Sequence, residues 1–415
     1  MKKYYIILLI LFTSPIYSQN NQVDFKKVIT HFKTAEYSDV IEHFDTEGYF
    51  NNIFLSDHQK DSIKRSISEK DYTKQKLFEV HYGNNFNKVQ DVWISKNPIY
   101  FELNNIVIEN PYINEIKGKK NVPEFNYDDT YPLSYSVIYN EYIITLFEPG
   151  KFTCVSTKDF KRNKELENKL NSRKFQYHWL INGKLVAKSK NKILYWDGND
   201  WKKYKSKLVL NKQPKLFENK DFLVFSDCFG EFGGLVYFYN KSTSKVHYTE
   251  STCTVRVFKE NGRYYILENL GHMTGSTALK SISDPNELPI ISKSKLNKRR
   301  KRKKCNCESS SNNLKIEFDY SGFQIFSSFS YNNRVLYIAH MRGRALLVEF
   351  EKDKISIVNP LFDNVLFSHN PVTNKYDNLI LINMSYYGIA GEREVGLILI
   401  RDNQITRIRW NNYRR

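Results

Sequence analysis

Seven short polar corners, set at near-regular intervals, constrain this chain more than any other feature. They fall at Asn97, Asn140, Asn182, Asn219, Asn261, Asn332 and Asp377, with successive gaps of 43, 42, 37, 42, 71 and 45 residues. Runs rich in Ile, Val, Tyr and Phe flank each one, as in YHWLI-NG-KLVAKS around Asn182 and VRVFKE-NG-RYYILEN around Asn261. Asn and Gly tolerate the positive φ that two-residue hairpin turns require, and β-branched and aromatic residues suit a pleated surface. The corners therefore read as a series of antiparallel hairpins starting near Val89.

A second period runs beside the first. Phe152, Ile193, Leu235 and Ala278 begin comparable third strands, followed by short polar turns such as Asp197-Gly198, Asn240-Lys241, Lys352-Asp353 and Asp402-Asn403. The stretch Val255 to Leu288 shows the unit well: strand, Asn261-Gly262 turn, strand, Gly271–Ser276 loop, strand, Asp284-Pro285 turn. A repeat of roughly 40–50 residues with four strands each matches propeller blades. Over residues 89–415 the chain resembles β-propeller repeat proteins at the level of fold, and reaches no specific family. The fold class is all-β, a propeller of about seven four-stranded blades.

The gap of 71 holds an insertion, residues 292–313, with seven consecutive basic residues from Lys298 to Lys304 and almost nothing apolar. Such a block repels itself and cannot form a core, so it reads as a disordered loop. Residues 20–88 are less strand-like. Val23, Phe25, Val28, Ile29 and Phe32 have helical spacing, which gives a short helical or mixed segment before the propeller.

Residues 1–18 have the form of a cleaved secretory signal: Lys2 and Lys3, an apolar run from Tyr4 to Phe12, Pro15, and small Ser18 before Gln19. Nine apolar residues are too few to span a bilayer, which takes roughly 20 in a helix. No Cys follows the run. The expected product is exported, periplasmic or extracellular, with neither a lipid anchor nor a transmembrane segment. The formal charge of +18 favours anionic partners, and outside the cytoplasm these are acidic glycans and envelope surfaces rather than specific nucleic acid.

The loops joining second to third strands are long and Gly-rich, and in resembling propellers they gather on one rim. They supply the candidate contacts Asp227, Glu231, His272, His340, Arg342, Arg344, Glu392 and Arg393. Cys228 lies in one such loop and Cys253 follows the fourth strand of the same blade, so the two are expected to form a disulfide. Cys154, Cys305 and Cys307 have no assigned fate. Met273, Met341 and Met384 recur at the same place in successive units. The soft-ligand set this suggests is outweighed by Met filling gaps at strand ends, so no metal and no cofactor is assigned.

Catalytic signatures are lacking. There is no Gly-x-Ser-x-Gly, Gly-Lys phosphate loop or His-Glu-x-x-His. Tyr195–Trp201 is similar to the Asp-box turn of sialidase-like propellers, but lacks its leading Ser and occurs once. The expected function is therefore a non-enzymatic exported binding or scaffold protein that uses the rim to contact a protein partner or an anionic polymer. A carbohydrate-active or other hydrolytic enzyme with rim carboxylates, and an accessory part of a cell-envelope assembly, remain as alternatives.

Overall fold

Four of the corners turn as their residues dictate. The pairs Asn140-Glu141, Asn182-Gly183, Asn261-Gly262 and Asn332-Asn333 all have positive φ, between 47° and 80°, the double left-handed geometry that matches strand twist. Asn219 works differently: its side-chain oxygen accepts from the backbone N–H groups of Asp221 and Phe222, at 2.9 and 2.7 Å. These features come from a computed structural model, which describes residues 76–112, 132–205, 212–271, 275–292, 294–296, 314–341, 344–351, 354–362, 370–387 and 393–410, residue 74, and six positions between 25 and 32.

The strands form six consecutive antiparallel blades among the described residues. Blade one has three strands, Val137–Tyr139, Tyr142–Phe147 and Lys151–Ser156. Blade two runs from Tyr177–Ile181 to Trp201–Lys203, and blade three from Lys215–Glu218 to Val246–Glu250. Blade four runs from Thr254–Glu260 to Lys315–Ser321, blade five from Gln324–Tyr331 to Lys354–Phe362, and blade six from Val372–Tyr376 to Gln404–Trp410.

Six apolar clusters show that these blades close into a ring. Leu146 and Phe152 of blade one meet Leu185 and Trp201 of blade two. Trp179 and Val186 meet Phe225 and Tyr237 of blade three. Phe222 and Phe238 meet Tyr264 and Ile266 of blade four. Leu267 and Phe318 meet Ile325 and Val348 of blade five. Phe329 and Ile338 meet Ile382 and Ile398 of blade six. Leu381 and Trp410 of blade six then meet Ile143 and Phe147 of blade one. A twisted sheet covered on both faces needs a neighbour on each side, and only a closed ring gives one to every blade.

Among the described residues the blades number six rather than the expected seven. Asn97 is not a hairpin corner. The strand before it, Asn85–Ile94, pairs with Lys76–Tyr82 and runs parallel to the outer strand of blade five. The strand after it, Glu102–Ile108, runs parallel to the outer strand of blade six. Each covers a blade edge whose backbone groups would otherwise be left unpaired. Lys76–Tyr82 also pairs with the outer strand of blade four, so blades four and five share one ten-stranded sheet.

Val28, Ile29 and Phe32, at helical positions, bury against Phe78 of the hairpin, with the two Phe rings 4.8 Å apart. A short helix, Lys164–Leu170, lies beside the outer strand of blade one, capped by Asn163. Its buried Glu167 accepts from Arg162 and from the Cys154 backbone N–H. Residues 1–18, expected to be a signal, and most of the insertion 292–313 lie outside the described residues.

Candidate functional site

Strands alternate in direction within a blade, so second-to-third loops and blade-to-blade connections meet on one rim. A cavity of about 500 Å³ opens there. Connections supply Pro132, Leu133, Ser134, Tyr135, Gln213 and Asn370, strand ends supply Tyr177 and Asp227, and the middle of the strand Leu379–Tyr387 supplies Asn383 and Met384. These residues come from blades one, two, three and six, far apart in sequence.

Asp227 is held at the end of its strand. Its carboxylate accepts from the Tyr237 hydroxyl at 2.5 Å and from the Gln213 side-chain amide. Gly234, near Asp227 across the ladder, makes this possible. A side chain there would strike the Asp227 carbonyl oxygen and come within 2.8 Å of the Ser251 carbonyl oxygen.

Other polar groups in the wall lack protein partners. The Tyr177 hydroxyl is buried with no hydrogen-bond partner among the described residues, and so is the Asn370 side-chain oxygen. Burial pushes the Tyr177 phenol well above its ordinary pKa, so it remains a donor. The Tyr135 hydroxyl donates to the Asn370 carbonyl at 3.3 Å. Behind the wall, Ser134 Oγ lies 2.6 Å from His178 Nδ1, and His178 Nε2 lies 3.1 Å from the Ile144 carbonyl oxygen. The carbonyl must receive an N–H, so Nε2 carries the proton and Nδ1 accepts from Ser134. Burial lowers the His178 pKa to about 4, and the hydrogen bond to the carbonyl only partly opposes this.

The expected contacts divide. Asp227 lines the cavity, and Glu231 lies in the short turn Gly230–Phe232 above it. His340 and Arg344 belong to blade five, at the end of one strand and the start of the next, outside the cavity wall. Burial lowers the His340 pKa to about 4. His272, Arg342 and Glu392, and the side chain of Arg393, lie outside what the structure describes. Met341 packs between blades four and five and Met384 between blades five and six, so these two belong to separate cores. No group of three His, Cys, Asp or Glu side chains suited to a metal ion occurs among the described residues.

Cys228 and Cys253 lie at bonding distance, with Cα atoms 4.4 Å apart and a sequence separation of 25. Replacing both by Ser is expected to destabilise the fold by about 3 kcal/mol, the chain-entropy cost of opening such a loop. Denaturant titration of the oxidised protein and the double variant checks this. Cys154 is buried and unpaired, and burial pushes its thiol pKa up.

Sequence reasoning missed Tyr135, Tyr177, Gln213 and Asn370. They sit on first strands and blade connections, where nothing local resembles a binding loop. The orphaned hydroxyl of Tyr177 is visible only when its surroundings are known.

No protein-family profile and no curated protein matches the chain. Among solved structures, it is similar to YjhT (10% identity, covering 67% of this chain and 97% of that one, TM-score 0.37). It is also similar to the N-terminal domain of Nup159 (10% identity, 69% and 79%, TM-score 0.34). A third is a point mutant of the Cellvibrio cellulosa α-L-arabinanase (9% identity, 47% and 72%, TM-score 0.28). At these scores the likenesses carry no argument, and the propeller reading rests on the six interfaces between blades.

Proposed function

We propose that this protein is an exported, non-enzymatic binding protein that takes a small hydroxyl-rich ligand, such as the end of a glycan chain, in the rim cavity. The observation that carries the reading is the pair of orphaned polar groups in the wall: a buried donor at Tyr177 and a buried acceptor at Asn370. Leaving such groups unmatched costs about 1–3 kcal/mol each, which a ligand bearing both donors and acceptors recovers. The cavity volume lies within the usual range for ligand sites, roughly 300–1,000 Å³. Tyr135, Tyr177 and Phe229 add aromatic surface for the apolar faces of a sugar ring.

Glycoside hydrolysis normally takes two carboxylates across the scissile bond. Asp227 is the one carboxylate among the described lining residues, and two hydrogen bonds hold it. That favours a positioning role over acid–base chemistry.

The test is Tyr177→Phe. Loss of a buried, unmatched hydroxyl is expected to leave stability unchanged or slightly raised. Affinity for a saccharide bound by the wild type is expected to fall about tenfold, the equivalent of one hydrogen bond of about 1.4 kcal/mol. Calorimetry against a panel of neutral mono- and oligosaccharides reads it. The reading fails if no member of the panel binds, or if one binds equally well to the variant.

A further inference from the structure

The opposite mouth of the central channel carries a different chemistry. It opens where the Asn corners of several blades meet, as a cavity of about 870 Å³. Arg256, on the innermost strand of blade four, lies in its wall and is nine-tenths buried. Its Nη1 donates to Ser328 Oγ of blade five at 2.9 Å, and its guanidinium lies 5.0 Å from the centre of the Phe258 ring. No carboxylate among the described residues lies within salt-bridge distance of it, whereas Arg162 pairs with Glu167 and Arg334 with Glu349.

The rest of the wall adds positive charge. Lys215 and Lys241 share a single carboxylate, Glu218, at 3.1 and 2.8 Å. Two cations against one anion leave a net charge of one. Lys375, at the end of the first strand of blade six, and Lys220 line the same cavity. Glu260 and Asp377 also border it. The lining as a whole holds the cations Lys215, Lys220, Lys241, Arg256, Lys259 and Lys375 against three carboxylates.

A buried guanidinium with no carboxylate at bonding distance, and only Glu260 acting on it from further off, is costly, and the cost is recovered when an anion meets it. Burial lowers the Arg256 pKa to about 10, which still leaves it charged at neutral pH. The guanidinium is planar and presents a fork of donors that matches the two oxygens of a carboxylate or phosphate.

We propose that this mouth is an oxyanion site anchored by Arg256, with Lys215, Lys241 and Lys375 supplying the surrounding positive field, and that it takes the carboxylate or phosphate of a small ligand. The site is independent of the rim cavity. The two open at opposite ends of the channel and share no lining residue.

Thermal melts with inorganic phosphate or glucuronate, against sodium chloride at matched ionic strength, test the proposal in wild type, Arg256→Met and Lys375→Ala. The wild-type midpoint is expected to rise with phosphate or glucuronate concentration beyond the chloride control. Protection by phosphate alone identifies a phosphate site, and protection by glucuronate alone a carboxylate site. Arg256→Met is expected to bind the protecting anion at least tenfold more weakly, and to melt no lower than wild type in anion-free buffer, because an apolar group replaces an unpaired buried charge. Lys375→Ala, a change at an exposed side chain, keeps the test decisive should Arg256→Met not fold, with an expected loss of several-fold in affinity. Equal protection by chloride, no protection of the wild type, or protection undiminished in the variants overturns the proposal. Saccharide binding at the rim is expected to be unchanged in Lys375→Ala, so failure of one site is distinguishable from failure of the other.

Discussion

Lowering the pH from 6.5 towards 4 is expected to remove most of about 6 kcal/mol of stability through two histidines. His178 and His340 are both held neutral by burial, each with a pKa of about 4. Unfolded, each returns to the ordinary value of about 6.5. Between those pH values the unfolded chain binds more protons than the folded one, so stability rises with pH and is lost as pH falls. The loss is complete below the folded pKa, and a shift of this size corresponds to about 3 kcal/mol per histidine. Phe152 packs edge-on against His178 at 5.3 Å, Ser134 and the Ile144 carbonyl take its two nitrogens, and Phe326 lies beside His340 at 6.2 Å. No carboxylate among the described residues bonds to either ring to offset the charge. Glu268 acts in the opposite sense. Burial raises its pKa despite Lys280 at 2.7 Å, so its own contribution improves as pH falls. Denaturant titrations at graded pH read the sum, and His178→Gln with His340→Gln isolates the histidine part. A midpoint independent of pH between about 6.5 and 4.5 in the wild type contradicts the expectation.

Gly234→Ala is expected to cost about 3 kcal/mol or more, at the upper end for overpacking. The new methyl would meet the backbone oxygens of Asp227 and Ser251. Backbone in a ladder cannot rotate aside as a flexible side chain can, so the strand ends must separate. That moves Asp227 away from Tyr237 and Gln213, and saccharide binding at the rim should weaken with stability. Gly183→Ala is the contrast. Gly183 has φ of +68° with open space around it, so only the left-handed backbone penalty applies, about 1 kcal/mol. Similar losses for the two variants would show that the close approach at Gly234 is relieved cheaply.

Much of the fold is legible in the chain. The Asn corners at 140, 182, 261 and 332 announce hairpins because few other residues accept two consecutive left-handed conformations. Third strands recur where Phe152, Ile193, Leu235 and Ala278 place them. Asn97 misled because a polar corner between two apolar runs looks the same whether the runs pair with each other or with different sheets. Strand partners are chosen by available edges, and those edges belong to blades five and six, near the other end of the chain.

The candidate site divides along the same line. Asp227 stood out because it sits beside a Gly-rich loop, a local signal. Tyr177 and Asn370 gave no local signal, since an orphaned donor or acceptor is defined by what its neighbours fail to supply. Arg256 looked like one basic residue among 63. The sequence by itself determined strand, turn and repeat, because backbone preferences act within a few residues. Only the tertiary structure decided how many blades close the ring, which edges the leading strands cover, and which polar groups are stranded at either mouth of the channel. Those outcomes depend on burial, which is set by residues distant in the chain.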